Sequence, residues 1–472
     1  MSLKIPSRIS VGKRKYLIRY FKFFESRAEN IALISSVRAR RTVAAEQVQE
    51  HNQGVRSTMS DQSGSQPVAM SDRTGSQSAL RQVAASRLFL GATIAMFLSG
   101  LGASAAAPQI VLFLVKELGA SLPLAGFYYL TSLAAPVAGY FVGRYSDRTG
   151  NRLGLFRLCA AAGFVGWAGL ALSTSVWMPF IIAVALLAVS GAATSQIFAT
   201  VHDELSNKPD DANESVVAVI RMALTGGWIV GPVLGAWVAA AYGLRPMLWM
   251  TAICMLLQIA PLGTLNPTVK LKPESASEPA RHASLRAMLP LLMFTGLFVL
   301  VYAGEPVKYG FLLIYMEEHL KLSPAVRGAV IGIQPFIELL IMPFSIGLGR
   351  KLGNVWLMCI AAAIGVFANL CFALWSSAAG MFAGQILMGG VWGIFMVLGI
   401  IVAQRLLPNA VGTASAIFMS STALASALGG VAGGFGVSFL GLPNVFLLPA
   451  LFAGMAVVGL ALMARTESFK AY

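Results

Sequence analysis

The chain has little charge and few reactive side chains for its length. Asp, Glu, Lys and Arg make up 12% of its 472 residues, whereas about 25% is usual in soluble domains. The four cysteines all lie inside apolar runs and show no metal-ligand spacing or disulfide framework. The four histidines lie in the basic N-terminal stretch or at the edges of apolar runs, and they do not form a His/Asp/Ser constellation. We therefore expect no metal, no cofactor and no enzyme.

Acidic residues are scarce relative to basic ones, which gives a formal net charge of +15. A nucleic-acid-binding protein would collect such basic residues on a folded polar domain, and this sequence does not. Hydrophobic residues instead make up 57% of the chain. The composition excludes a nucleic-acid partner and predicts the lipid bilayer as the main surroundings.

Residues 1–86 differ from the rest of the chain. They are rich in Lys, Arg, Ser, Gln and Gly, and from about Val43 they lack apolar periodicity, so we expect a disordered basic cytoplasmic tail. Residues 13–24 mix bases with aromatics and could lie on an anionic membrane surface. Alternatively the tail has no function, or it is an upstream translated stretch, since Met59 and Met70 would both serve as starts. Both interpretations stay open.

From Leu88 onward, apolar segments of about the 20 residues needed to cross a bilayer alternate with short polar turns. The pattern predicts an all-α membrane protein with twelve transmembrane helices in two pseudo-symmetric six-helix bundles. The bundles are expected at 87–265 and 288–465, with a cytoplasmic linker at 266–287 and a short cytoplasmic tail at 466–472. The predicted spans 1 to 12 cover 88–114, 123–143, 154–174, 177–201, 216–241, 246–265, 288–315, 324–347, 354–376, 379–403, 411–439 and 443–464.

The distribution of Lys and Arg predicts the orientation of the spans. With both termini in the cytoplasm, only Lys116, Arg245, Lys321 and Arg327 of the 35 basic residues fall in segments on the other side. The positive-inside rule therefore predicts a multi-pass protein with cytoplasmic termini. The two halves also repeat in parallel, because a glycine-rich stretch precedes Gly-Leu by the same interval in spans 5 and 11.

A basic turn between spans 2 and 3 contains Gly143, Asp147, Arg148, Gly150 and Arg152. It resembles the major facilitator signature G-x-x-x-D-R/K-x-G-R-R. Glycines allow a tight turn, and the Asp is placed to meet a neighbouring helix N-terminus and nearby Arg side chains. We predict that these contacts bias the protein between inward- and outward-facing states.

This turn departs from the signature at one position, where Asn151 replaces an Arg. The counterpart between spans 8 and 9, residues 347–353, carries Arg350 where the Asp is expected. The second copy is therefore degenerate, and its gating role is in doubt.

Span 5 carries Gly227, Gly231, Pro232 and Gly235, with the three glycines on one helical face. The pattern resembles G-x-x-x-G-P-x-x-G, the core of a motif associated with exporters and antiporters of the superfamily, although Ala218 replaces its more distant glycine. Small residues allow close helix packing, and proline permits a kink. Export and ordinary tight packing are the two interpretations.

Glu338 in span 8 lies 12 residues before Arg350, hence about 18 Å from that end of the helix. Placing an ionised carboxyl at this depth costs several kcal/mol of free energy unless it has an ion-pair partner or contacts water. The position of Glu338 therefore predicts a proton-coupling residue, and a hydrogen-bonded structural carboxyl is the alternative.

In span 7, Glu305 and Lys308 are three residues apart within a Gly/Pro cluster. That spacing predicts an internal ion pair in a broken helix, with Glu305 as a second candidate for proton coupling.

Arg221 and Trp228 in span 5 are seven residues apart and share one helical face. A guanidinium binds hydroxyls and an indole stacks on a sugar ring, so the pair predicts a site for a small hydrophilic substrate. Snorkelling of Arg221 to the surface is the alternative. Four amides within spans are further candidates for binding substrate hydroxyls, or for forming hydrogen bonds between helices: Gln109, Gln196, Gln334 and Gln385.

Across 88–464 the sequence resembles the bacterial sugar efflux transporters of the major facilitator superfamily. The similar stretches include Ala107-Pro108, 196–199, 220–232 and the position of Glu338. The resemblance implies proton-driven export of sugars or sugar analogues by alternating access in the bacterial inner membrane, and we expect a monomer. A multidrug exporter on the same fold is the first alternative, and a membrane receptor or enzyme the second. Uptake by symport also stays open.

Overall fold

The computed structural model describes residues 81–206, 213–263, 265 and 285–466. These residues form helices joined by short turns. The predictions for the basic tail up to residue 80, for most of the linker and for residues 467–472 of the C-terminal tail lie outside the described residues.

The described helices correspond to the twelve predicted spans. Seven spans are single α-helices, several of them extending past the predicted ends because short polar turns continue the helical hydrogen bonding. These are Arg152–Ala171 (span 3), Asn213–Tyr242 (span 5), Pro324–Leu352 (span 8), Asn354–Leu374 (span 9), Ala378–Leu406 (span 10), Val411–Leu440 (span 11) and Leu447–Arg465 (span 12).

The other five spans are interrupted. Spans 1, 2 and 6 contain 3₁₀ turns, span 4 contains a π turn, and span 7 breaks at Ala303. Their α-helices are Arg87–Ala106 and Ile110–Lys116 (span 1), Leu122–Phe127 and Ala134–Thr149 (span 2), Trp177–Ile182, Ala188–Ser190 and Ala193–Ser206 (span 4), Leu244–Leu257 (span 6), and Leu285–Tyr302 and Gly304–Glu318 (span 7).

By length and composition alone, eleven spans within the described residues are long and apolar enough to cross a membrane. Span 2 does not meet these limits. It is divided by the turn Tyr128–Leu133, and its last helix carries Arg144, Asp147 and Arg148. Flanked by spans 1 and 3, it completes the predicted set of twelve.

The glycines of span 5 pack directly against span 1. A Cβ on Gly227 would lie 2.5 Å from the backbone nitrogen of Leu101, and one on Gly235 would lie 2.5 Å from the carbonyl oxygen of Ala105. Ser104 also donates a hydrogen bond to the carbonyl of Gly227 at 3.1 Å. The predicted close packing is confirmed, since any larger side chain at these positions would force the two helices apart.

The turn at Gly150 and the start of span 1 lie at what we call the basic end, and Lys116 and Glu318 lie at the opposite end. At the opposite end, spans 2 and 11 approach so closely that a Cβ on Gly126 would lie 2.8 Å from the Cα of Gly434. Spans 5 and 8 also touch there, through Gly328 of span 8 and Ala236 of span 5. The two halves are therefore closed together at the opposite end.

The same spans separate toward the basic end. A Cβ on Gly139 in span 2, or on Gly347 in span 8, would have no other atom within 4 Å. Large side chains are exposed on these segments, with Phe141 61% exposed in span 2 and Phe344 71% exposed in span 8. The structure is thus open at the basic end and closed at the opposite end.

Candidate functional site

Span 7 carries the buried ion pair that the sequence predicted. Lys308 Nζ lies 2.8 Å and 2.7 Å from Oε1 and Oε2 of Glu305, and Lys308 is fully buried while Glu305 is 5% exposed. The break at Ala303 starts a new helix one residue before Glu305, so both side chains lie in the first two turns of that helix. The predicted pair and the predicted helix break are both confirmed.

Two further side chains complete the hydrogen bonding of this pair. Gln334 of span 8 accepts a hydrogen bond from Lys308 Nζ, and Trp392 of span 10 donates from Nε1 to Oε1 of Glu305 at 2.5 Å. The ammonium of Lys308 also lies 4.7 Å from the centre of the Tyr309 ring. Three spans of the second half thus meet at one polar cluster, comprising Glu305, Lys308, Gln334 and Trp392. A buried charge pair requires such additional partners.

Glu338 lies one helical turn beyond Gln334 on span 8, toward the basic end. Its side chain is half-buried. Among the described residues, it forms no ion pair or hydrogen bond. Glu305 is held by a lysine and a tryptophan, so the two carboxyls differ in environment. Glu338 is the one that is available to exchange a proton or bind a ligand.

Arg221 and Trp228 share the face of span 5 that looks toward the space between the halves. The opposite face of the helix, about 160–180° away, carries the exposed apolar residues Val230 and Trp237. That apolar face suits lipid, so the Arg221 face is turned inward. Arg221 is exposed and Trp228 half-buried, and the Arg221 side chain has no ion-pair partner among the described residues.

The contacts of spans 5 and 8 give the relative depth of these residues. The two helices run antiparallel, and a Cβ on Gly332 would lie 3.1 Å from Cγ2 of Val233. Each residue further along span 8 therefore lies at the depth of the residue one position earlier in span 5. This places Glu338 at a depth between Trp228 and Arg221, on the other side of the space that opens toward the basic end.

The four amides do not form one group. Gln334 belongs to the polar cluster, whereas Gln196 accepts a hydrogen bond from Ser146 at 2.5 Å near the basic end. Gln109 is 4% exposed, in the 3₁₀ turn of span 1. Gln385 is fully buried, and neither its oxygen nor its nitrogen has a hydrogen-bond partner in the described structure.

The turn between spans 2 and 3 has the tight geometry that the signature predicts. Gly150 adopts a positive φ of 64°, which glycine tolerates best. Arg152 lies 3.1 Å from Asp147 and also pairs with Asp203 of span 4. Asn151 caps the start of span 3 by accepting a hydrogen bond from the Gly154 nitrogen at 3.0 Å. The residue that departs from the signature thus supplies the helix cap.

The other two members of this turn make fewer contacts. Arg148 is exposed, and a Cβ on Gly143 would have no other atom within 4 Å. Close packing therefore does not require glycine at position 143 in this conformation.

Sequence reasoning missed two residues that hold these sites together. Trp392 was overlooked in an apolar span, although it lies seven residues after Gln385 and among the glycines Gly389, Gly390 and Gly393. Asp203 was overlooked as the second carboxylate for Arg152. Its position at the basic end of span 4 was the available signal.

Comparison with known proteins agrees with this architecture. The family model of the Major Facilitator Superfamily matches residues 92–307 and 295–471. A putative sugar efflux transporter of Deinococcus radiodurans is 30% identical, over 79% of this chain and 97% of its own. Sugar efflux transporter A of Dickeya chrysanthemi is 24% identical, over 76% and 92%. A multidrug resistance protein, MdtG of Proteus mirabilis, is 24% identical, over 62% and 75%.

The crystal structure of the nucleoside transporter NupG has a similar fold. The TM-score is 0.66 at 17% identity, covering 82% of this chain and 99% of that one. The twelve spans, the polar cluster between them and these similarities define a multi-pass membrane transporter rather than an enzyme. The chain belongs to the sugar efflux transporter family of the Major Facilitator Superfamily.

Proposed function

We propose that this protein exports sugars, or closely related hydroxylated molecules, by alternating access in exchange for protons. In this proposal it lies in the bacterial inner membrane as a monomer, with both termini in the cytoplasm, so that the basic end faces inward. The central observation is that Glu338 lies at a depth between Trp228 and Arg221, on the other side of the space between the halves. The relatives named as sugar efflux transporters support the choice of substrate class.

The side chains facing this space suit a sugar. Arg221 offers several N–H donors to hydroxyl oxygens, and Trp228 offers an aromatic face for the C–H groups of a ring. Glu338 can accept a hydroxyl hydrogen bond when ionised. The site therefore matches a polar ring better than a large apolar cation.

Proton coupling is assigned first to Glu338. It is half-buried and has no partner among the described residues, so its proton can exchange through the space at the basic end. Glu305 instead accepts from both Lys308 and Trp392. We assign Glu305 the role of holding Lys308 in place, with proton transfer from Glu305 as a second step only if Lys308 changes partner.

Alternating access is supported by the asymmetry of the two ends. Close glycine contacts join the halves at the opposite end, and the halves are separated at the basic end. In the predicted orientation this is an inward-open state that receives substrate from the cytoplasm. Rocking of one bundle against the other would expose the same residues on the outside.

Everted membrane vesicles containing a pH-sensitive dye test the proposal. Addition of a transported sugar should dissipate an imposed proton gradient in vesicles with the wild-type protein and not in vesicles without it. Glu338→Gln should abolish this response, because an amide cannot carry the proton. Glu338→Asp, which keeps a titratable group, should retain part of it.

Two outcomes would reject specific parts of the proposal. Normal proton movement by Glu338→Gln would remove the coupling role of this residue. Export of hydrophobic cations that compete with every sugar response would favour the multidrug function suggested by the similarity to MdtG.

A further inference from the structure

A second polar site lies at the basic end of the second half. A cavity of about 660 Å³ opens between spans 8, 9, 10 and 12, within the range of about 300–1,000 Å³ that is usual for small-molecule sites. Three cations line it, Arg350, Lys351 and Arg405. None of them forms an ion pair with a described residue, and the lining includes no acidic side chain.

The internal repeat explains how this cavity arises. Gly150 and Gly353 occupy equivalent turns, and both have positive φ, 64° and 87°. Counting from these glycines, Arg152 of the first half corresponds to Val355, and Asp147 corresponds to Arg350. The large side chain that fills the turn of the first half is therefore replaced by a small apolar one.

The charges are reversed at the position of Asp147 and within one residue of the position of Asp203. In the first half, Asp147 and Asp203 pair with the central Arg152. Asp203 lies 53 residues after Gly150, and Arg405 lies 52 residues after Gly353. Two carboxylates around an arginine thus become two arginines around an open cavity, and an anion would restore the balance of charge.

Asn354 gives an independent indication of a ligand. Its side chain lines the cavity and is 7% exposed, yet it has no hydrogen-bond partner among the described residues. Its counterpart Asn151 caps a helix through the Gly154 nitrogen, whereas span 9 begins at Asn354 and its N-cap residue, Gly353, provides no side-chain hydrogen bond. The polar atoms of Asn354 are open to the cavity, so a ligand there can hydrogen-bond to them.

We propose that this cavity binds a phosphate-bearing anion, coordinated by Arg350, Arg405 and Asn354. The source that best fits the surroundings is the headgroup of an acidic phospholipid. Exposed apolar side chains line the same cavity, with Leu352 47% and Trp356 40% exposed. A basic pocket between helices beside apolar surface suits a headgroup and its acyl chains. Free phosphate shares the headgroup chemistry.

Thermal unfolding of the full chain, purified in an uncharged detergent, tests the proposal. Short-chain phosphatidylglycerol and inorganic phosphate are titrated separately, with short-chain phosphatidylcholine as the zwitterionic control. The wild-type midpoint should rise saturably with phosphatidylglycerol and not with phosphatidylcholine. A rise with phosphate alone, equal to that with lipid, would identify free phosphate as the source.

The double variant Arg350→Gln/Arg405→Gln should need at least about tenfold more anion for the same rise, because it lacks two charged hydrogen-bond donors. Without anion it should unfold no earlier than wild type, since substitution removes unpaired like charges. Asn354→Leu should also bind more weakly, with the net charge unchanged.

Arg87→Gln/Arg144→Gln is the matched control, since both residues are exposed basic-end arginines outside the cavity. It should titrate as wild type does. The proposal is overturned if the control loses as much affinity as the cavity variant, which would show general surface attraction. It is also overturned if the cavity variant or Asn354→Leu titrates as wild type does.

Discussion

At the scale of single residues, the two acidic side chains of spans 7 and 8 show how environment separates chemically identical groups. Glu305 accepts hydrogen bonds from Lys308 and Trp392 in a buried site. Glu338, one helical turn from Gln334, has no such partner among the described residues. Desolvated charges need compensating partners, so Glu305 is suited to a structural role. The absence of partners around Glu338 among the described residues supports the proton-coupling role proposed for it.

Removal of Lys308 should strongly destabilise the protein. Lys308→Met leaves the buried carboxylate of Glu305 without its cation, which costs about 3–5 kcal/mol in comparable buried pairs. The thermal unfolding midpoint of the detergent-purified protein should therefore fall. The double variant Glu305→Gln/Lys308→Met should recover most of the loss, because neither charge remains. A single variant that unfolds with wild type would show that the pair does not stabilise this fold.

Gln385 should behave in the opposite way. Both polar atoms of its side chain are buried without partners, so an apolar residue of similar size removes an unsatisfied group at little cost. We expect Gln385→Leu to leave the unfolding midpoint unchanged or higher. The matched variant Gln334→Leu should lower it, since Gln334 accepts from Lys308. A clear loss of stability in Gln385→Leu would mean that the amide has a partner in the membrane.

At the scale of helices, the position of each glycine decides whether it allows two spans to pack closely. Gly126 of span 2 lies where span 11 passes, and Gly139 of the same span faces open space. Gly227 and Gly235 likewise allow span 1 to touch span 5. Small residues permit such approach in membranes, where helices associate through close packing.

This contrast predicts opposite results for one substitution at two sites. Gly126→Val should slow export, because the added side chain would clash with Gly434 and hinder closure of the opposite end. Gly139→Val should have little effect on the initial rate. Labelling of a cysteine at Phe127, whose ring lies beside Gly434, should increase in the Gly126→Val background. Equal rates for the two valine variants would contradict the role assigned to this contact.

At the scale of the whole molecule, ion pairs at the opposite end add to the glycine contacts. Lys116 of span 1 lies 2.5 Å from Glu318 of span 7, with both side chains 40% exposed. This pair joins the two halves, whereas Arg245 and Glu117 pair within the first half. An exposed pair contributes up to about 1 kcal/mol, so it biases the conformation without locking it.

Reversal of this pair tests that bias. Lys116→Glu and Glu318→Lys should each reduce the population of the state that is closed at the opposite end, by up to about thirtyfold, because an attraction of up to about 1 kcal/mol is replaced by a repulsion of similar size. The double variant should restore it. Cysteine accessibility at the basic end is the measurement, and the effect should shrink in high salt as screening increases. An effect that is independent of salt and is not rescued in the double variant would exclude an electrostatic cause.

Much of this protein was determined by its sequence. Apolar segments predicted the spans because a helix needs about 20 apolar residues to cross a bilayer. Gly150 predicted the turn because few residues other than glycine adopt a positive φ. The Glu305–Lys308 pair followed from a spacing of three residues on one helix. Each of these features depends only on residues that are close together in the sequence, so the local sequence pattern is enough to predict it.

The tertiary structure decided what the distant parts of the chain do together. It brought Trp392 and Gln334 to the ion pair, Asp203 to Arg152, and Arg405 to the cavity beside Arg350. It also decided which end is open, because closure depends on contacts between spans 2 and 11 and between spans 5 and 8. Side-chain pairing across helices depends on packing angle and register, which the hydropathy of either helix alone does not contain.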